Sequence, residues 1–230
     1  MLHGFTGTPI GMRPVADALA ETGFAVEMPR LPGHGTAMED LVETGWDDWL
    51  TEAERCLEVL QARTAGGKVV VVGLSMGGAL TAALAEGHPE LAGIVLINTP
   101  VALPTDFAVA IEEMLAGGME ITDGIGGDIA DPDASEMSYD GTPLRALLTL
   151  IMAGEQVRER LPEIQVPALI ITSRQDHVVH PEDSDTLADK ISGPVERLWL
   201  EKSYHVATID YDKDEVASAT VAFAERVTAG

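Results

Sequence analysis

Val69-Val70-Val71-Val72-Gly73-Leu74-Ser75-Met76-Gly77-Gly78 is the stretch whose reading decides the fold. Four β-branched residues in a row describe a strand buried on both faces, as in the interior of a parallel sheet. Gly-x-Ser-x-Gly follows, then a run of small residues (Ala79, Ala82, Ala83, Ala85), so the strand breaks sharply into a helix with Ser75 at the apex. Side chains at Gly73 and Gly77 would collide where helix and strand approach. The turn exposes the Ser75 hydroxyl and sets the Met76 N–H beside it, at a helix N-terminus that favours developing negative charge. Ser75 is therefore the candidate nucleophile. The competing reading, a glycine-rich turn without chemistry, is disfavoured because strand, motif and helix stand in the order that the mechanism demands. A dinucleotide fingerprint fails, since Ser75 replaces its second glycine and the next strand, Ile94 to Ile97, ends in the neutral Asn98. No Gly-Lys-Ser/Thr phosphate loop is present.

Composition limits the company this site can keep. The chain has 230 residues, 46% of them hydrophobic, which suits one α/β domain with a sizeable core. Cys56 is the single cysteine, so no intrachain disulfide forms and a reducing, cytoplasmic setting is expected. No signal-type leader or bilayer-length apolar run is seen, so no integral membrane segment is expected. Acidic residues number 38 against 14 basic, a formal charge of −24, which disfavours nucleic acid and anionic lipid surfaces as partners. The acidity reads as a solvated surface, serving solubility or adaptation to salt.

Upstream of the elbow, His3-Gly4-Phe5-Thr6-Gly7 is a turn whose Phe5 N–H can supply a second oxyanion donor beside that of Met76. His3 and His34, in Arg30-Leu31-Pro32-Gly33-His34-Gly35, read as structural histidines. Helices are expected over Pro14–Thr22 and Trp46–Arg63, with a strand at Phe24–Met28. Downstream, Gly93–Asn98 is a strand, and the βα alternation then lapses from about 101 to 161. Met114, Met119 and a set of glycines mark that insertion as an adaptable apolar segment placed where a cap would sit. Thr142 and Pro143 are expected to open its helix as N-cap and first residue. Strands resume at Ala168–Thr172 and Glu196–Leu200, and a helix over Asp214–Arg226 closes the chain.

A serine hydroxyl needs a neighbouring base, and in this class of sheet the partners follow in the order acid, then histidine, past later strands. Asp176 lies just after the strand at Ala168, and His205 just after the strand at Glu196. Position after a strand selects Asp176 over Asp183, Asp185 or Asp210. A metal reading of Asp176, His177, His180 and His205 lacks zinc-type spacing, so neither metal nor cofactor is expected.

These motifs resemble those of the α/β-hydrolase superfamily, and within it the bacterial monoacylglycerol lipase and carboxylesterase group. The matching segments are His3 to Pro9, Met12-Arg13-Pro14, Pro29 to Thr36, Gly73 to Gly78, Asp176 to Val179 and Ser203 to Asp210, spread over nearly the whole chain. The resemblance implies a mostly parallel central sheet with helices on both faces and a small inserted cap at about 101–161. It implies Ser75, Asp176 and His205 as catalytic residues and the Phe5 and Met76 amides as the oxyanion hole. It also implies that Ile125 and Glu136 contact a glycerol head, against the alternative that Glu136 is a solvated carboxylate. In the family a hydrophobic strand runs into His-Gly, whereas here only Met1-Leu2 precede it. The neighbours of that central strand would then carry unpaired backbone groups, unless another segment fills the slot.

The expected function is two-step hydrolysis of a small neutral ester or lipid through an acyl-enzyme, a monoacylglycerol foremost, by a monomer or homodimer. A short-chain carboxylesterase or thioesterase is the enzyme alternative, and a hydrolase-fold binding module the non-enzyme one.

Overall fold

The computed structural model describes residues 1–101 and 105–229. In chain order the elements are α1 (Arg13–Glu21), α2 (Met38–Val42), α3 (Trp46–Arg63), β1 (Val70–Leu74), α4 (Met76–Gly87) and β2 (Gly93–Ile97). Then come α5 (Thr105–Ala116), β3 (Ile121–Asp123), β4 (Gly141–Pro143) and α6 (Leu144–Arg160). The chain ends with β5 (Ala168–Ser173), α7 (Asp183–Lys190), β6 (Val195–Leu200) and α8 (Lys213–Thr228). Strands β1, β2, β5 and β6 pair in that order, all parallel.

Although these strands read as unbroken apolar runs, the pleat divides their residues between two cores. Val71, Ile94, Leu96, Ala168 and Ile170 face a cluster with Trp49 and Leu57 of α3, Leu80 and Leu84 of α4, and Leu147 and Ile151 of α6. Val72, Leu74, Val95, Ile97, Leu169 and Ile171 face the other, with Val15 and Leu19 of α1 and Val216 and Phe223 of α8. A parallel sheet covered on both faces explains why the β2 strand has no exposed residue. It also places every strand's C-terminal end, and the loops at 75, 98, 174 and 201, along one edge.

Between β2 and β5 the chain leaves the sheet for α5, an antiparallel β3–β4 pair, and α6. Residues 102–104 of the expected insertion lie outside the described residues. The β3 strand is not visible in the sequence pattern, because Ile121–Asp123 is short and largely exposed. The expected helix start also moves. Thr142 pairs with Thr122 within β4, and α6 begins at Leu144 with Pro143 in the cap position and no side-chain cap.

Phe24–Met28 is not a strand, contrary to its sequence pattern. Residues 24–28 join no ladder among the described residues, and Leu2 makes one bridge to β1. The Leu2 N–H donates to Val72 O at 2.8 Å, and the Leu74 N–H donates to Leu2 O at 3.1 Å. Beyond that bridge a cavity of about 290 Å³ separates Phe24, Val26 and Glu27 from Val70 and Val72. No helix among the described residues is long and apolar enough to cross a membrane.

At the turn after β1 the backbones touch. A Cβ on Gly73 would overlap the Gly77 carbonyl, and one on Gly77 would overlap the Leu2 carbonyl. Neither neighbour can swing aside, because both are main chain. Gly77→Ala should therefore lose roughly 1–3 kcal/mol or more by overpacking. Gly87, whose Cβ would meet nothing within 4 Å, should tolerate alanine with little change. Urea midpoints of the two variants check this, and equal midpoints would contradict the close contact.

Candidate active site

Ser75 caps the N-terminus of α4 with φ 55° and ψ −121°, a backbone conformation that a non-glycine residue holds only under constraint. The constraint is visible. The Ser75 N–H donates to Ile97 O at 2.9 Å, and Ser75 O accepts from the N–H groups of Gly78 and Ala79. The half-buried side chain points out at the loop edge of the sheet, beside Gly4, where an added Cβ would sit 3.4 Å from Ser75 Cβ. The N–H groups of Phe5 and Met76 donate to no protein acceptor among the described residues, which leaves both free for a bound oxygen.

Asp176 follows β5 and His205 follows β6, and the fold brings the two together. His205 Nδ1 lies 2.8 Å from Asp176 Oδ2, with side chains only 8% and 2% exposed. Asp176 Oδ1 accepts the Val178 and Val179 N–H groups at 2.8 Å each, so its carboxylate cannot rotate away. A carboxylate only accepts, so His205 Nδ1 carries the proton and Nε2 is left as the basic nitrogen.

The residue after the acid, His177, is turned elsewhere. Its Nδ1 is 2.8 Å from Asp128 Oδ1, and its ring meets Tyr204 edge-on at 4.5 Å. No group of three or more metal-ligating side chains forms among the described residues.

Glu136 hangs from the insertion over the Phe5 loop. A Cβ on Gly7 would come 2.6 Å from Glu136 Oε1. Its Oε2 accepts the Gly127 N–H at 3.0 Å, which ties it to the segment carrying the exposed Ile125. Burial raises the Glu136 pKa, opposed by the Gly127 N–H and by the field of His205. Glu136 is thus a partly desolvated carboxylate near His205. The Tyr139 N–H donates to Thr6 O at 3.1 Å, and the Tyr139 hydroxyl bridges Gly33 O and the Thr36 N–H, so the insertion is fastened to both loops on this side.

Histidines 3 and 34 are structural, as their loop positions suggest. The His3 Nδ1–H donates to Gly4 O at 2.9 Å, and His3 Nε2 accepts the Leu31 N–H at 3.2 Å. Burial first, then the neighbouring His34, lowers the His3 pKa to about 3. Burial lowers that of His34 to about 4. Both rings are neutral and support the Phe5 loop from beneath, with Phe5 and Trp49 packed around His34.

Several residues that shape the site escape sequence reasoning. Asp210 is fully buried and accepts four backbone N–H groups, those of Ala130, Asp131, Tyr204 and Tyr211. Asp212 accepts those of Lys202 and Ser203. Asn98, at φ 43°, donates to His205 O at 2.7 Å and accepts the Ser173 N–H. In a chain with 38 acidic residues nothing local separates a buried aspartate from a solvated one. Only its place at the end of the family-like segment Ser203 to Asp210 points at it.

A sheet with its C-terminal edge so arranged belongs to a known class. The sequence profile of the alpha/beta hydrolase family matches residues 1–219, and the chain belongs to that family. Among curated relatives it is 42% identical over 227 residues to a thermostable monoacylglycerol lipase of Bacillus sp. (strain H-257), covering 97% of this chain and 88% of that one. It is 27% identical over 228 residues to a carboxylesterase of Bacillus subtilis (strain 168), covering 99% and 92%. Among solved structures it superimposes, at a TM-score of 0.93 and 37% identity, on one described with the metagenome-derived lipolytic enzymes LipS and LipT, covering 98% of this chain and 91% of that one.

The neutral histidines make a prediction about acid. In the unfolded chain each titrates near pH 6.5, whereas in the folded chain His3 and His34 titrate at about 3 and 4. The unfolded state therefore binds protons first as pH falls. The stability they contribute is complete above pH 6.5 and drains away as pH drops toward 3 to 4. His3→Gln removes one of these protons and should flatten the acid slope by up to about 1.4 kcal/mol per pH unit. Urea unfolding at pH 7.5, 6 and 5 measures it, and an unchanged slope would contradict the neutral, buried His3.

Proposed function

We propose that this chain is a carboxylic ester hydrolase in which Ser75 is the nucleophile, His205 the general base and Asp176 its orienting acid. The observation that carries the reading is the His205–Asp176 contact of 2.8 Å, on loops at the same sheet edge as the strained Ser75 turn. His205 Nε2 takes the Ser75 proton as Oγ attacks the ester carbonyl. The carbonyl oxygen, now negative, sits against the Phe5 and Met76 N–H groups, each donor worth about 2.7–4 kcal/mol in comparable sites. The imidazolium, held by Asp176, passes its proton to the departing alcohol. Water then enters and attacks the acyl carbonyl as His205 takes its proton. The bond to Ser75 Oγ breaks, His205 returns the proton to that oxygen, and the acyl group leaves as a carboxylic acid.

The substrate reading is a monoacylglycerol. It is supported by 42% identity to a monoacylglycerol lipase along almost the whole chain, and by the carboxylate of Glu136 beside the Phe5 loop. The residues from about 101 to 161 act as a cap on a single hydrolase domain. Their apolar side chains, Ile125 among them, would line the path of the substrate, and Glu136 would accept hydrogen bonds from the two free glycerol hydroxyls.

A monoacylglycerol differs from an alkyl ester of equal acyl length mainly by those hydroxyls. A site built to bond them is left with unpaired polar groups when they are absent, and so discriminates strongly. Glu136→Gln should lower kcat/KM for monoacylglycerols by about 1–3 kcal/mol of transition-state binding. Hydrolysis of p-nitrophenyl esters of the same chain length should hardly change. Equal losses on both substrates would make Glu136 a support of the cap. Simple esters outrunning glycerol esters in the unaltered protein would favour a general carboxylesterase.

A further inference from the structure

We propose that Asp128 is a positioning residue for the reaction: from the insertion, its one carboxylate fixes the main chain of both loops that carry the acid and the base. Asp128 Oδ2 accepts the His205 N–H and the His177 N–H, each at 3.1 Å. Asp128 O accepts the Val206 N–H at 3.1 Å. Oδ1 meets His177 Nδ1 at 2.8 Å. The Asp128 side chain is mostly buried, at 17% exposure, and its bond to the His205 N–H is partly buried, whereas the bonds to His177 lie toward the surface. The inference rests on His205 being the base.

The physical reason such a residue is needed is that 175–178 and 201–206 are irregular segments beyond the last ladder bonds of β5 and β6, the Arg174 N–H still pairing with Leu200 O. Their N–H groups have no strand to pair with, and side-chain acceptors must serve instead. On the His205 side, Asn98 Nδ2 holds the carbonyl at 2.7 Å and Asp128 holds the amide, so the peptide units flanking the imidazole are pinned from opposite directions. On the Asp176 side, the same Asp128 oxygen holds the very next amide. The relative placement of Asp176 and His205 therefore passes through a third residue, 48 positions before one and 77 before the other in the chain. Asp210 secures that residue's own segment through the Ala130 and Asp131 N–H groups. The insertion is thus a structural member of the reacting loops as well as a cover over them.

Geometry tells the substitutions apart. In Asp128→Asn the amide oxygen can stand where Oδ2 stands and accept both N–H groups, so the clamp survives without the charge. In Asp128→Ala it is lost, and in Asp128→Glu the charge remains but the acceptor is displaced by a methylene. His177→Ala removes the imidazole contact and leaves the clamp. Each is assayed for kcat and KM on a p-nitrophenyl ester, for Tm, and for the downfield proton signal of His205 Nδ1 in the proton NMR spectrum. His205→Ala is carried alongside.

Asp128→Ala should lose roughly 10- to 100-fold in kcat, the scale of a displaced catalytic group, with KM within about twofold. Its downfield proton should shift or broaden. Asp128→Glu should behave in the same way, which keeps the test open if the alanine variant does not fold. Asp128→Asn should stay within about threefold of the parent with the signal in place, and His177→Ala within about twofold. Parent-like kcat and NMR signal in both Asp128→Ala and Asp128→Glu, while His205→Ala is inactive, would overturn this role and leave the proposed mechanism standing. Equal losses in Asp128→Asn and Asp128→Ala would also overturn it, since charge rather than amide anchoring would then be at work. An active His205→Ala would instead remove the mechanism on which the role depends.

Discussion

Main chain passes against main chain where Gly73, Gly77 and Leu2 meet, and the loop edge of the sheet is organised by that contact. It allows α4 to begin directly over the end of β1, with no room for a longer connection. Ser75, left at the corner, must take φ 55°. Thr6 at φ 62° and Asn98 at φ 43° share the condition, and all three lie in loops at the same edge. Such conformations cost on the order of 1–3 kcal/mol each and persist only where surrounding bonds overdetermine them. Here the Ser75 amide is tied to Ile97 and the Asn98 side chain to Ser173 and His205.

The acidity of the chain has a second use besides a charged surface. At the loop edge, aspartates serve as acceptors for amides that the sheet cannot pair: Asp210 takes four, and Asp128, Asp176 and Asp212 take two each. A carboxylate in that setting is stabilised by backbone dipoles and needs no basic partner. This arrangement suits a chain with few lysines and arginines. It also explains how long irregular segments can be held firmly enough to place single atoms.

The parts of the structure legible in the sequence are those set by a strong local pattern. The run Val69 to Gly78 specifies strand, turn and helix because β-branched residues, two obligatory glycines and small helix formers all agree. The placement of Asp176 and His205 after β5 and β6 follows from chain order in such a sheet. Phe24 to Met28 has strand-like residues, yet it joins no ladder among the described residues, and residue type alone does not supply the pairing that a strand needs. Thr142 was legible as a cap by residue type, yet pairing with Thr122 claims it for β4. Asp128 leaves no trace in the local sequence, because the amides it accepts come from segments far along the chain. Asp210 stands out only as the end of the segment Ser203 to Asp210, since half of its partners lie as far away as Ala130 and Asp131.

The most direct test of the central claim is to find the covalent intermediate. The protein is incubated with a slowly turning over p-nitrophenyl ester or an organophosphonate, quenched in acid, digested and mapped by mass spectrometry. The account predicts one adduct, at stoichiometry approaching one, on Ser75 within the peptide containing Gly73-Leu74-Ser75-Met76-Gly77. Its rate of formation should fall sharply in His205→Ala. An adduct on another residue, or rapid ester turnover with no adduct on Ser75, would contradict it.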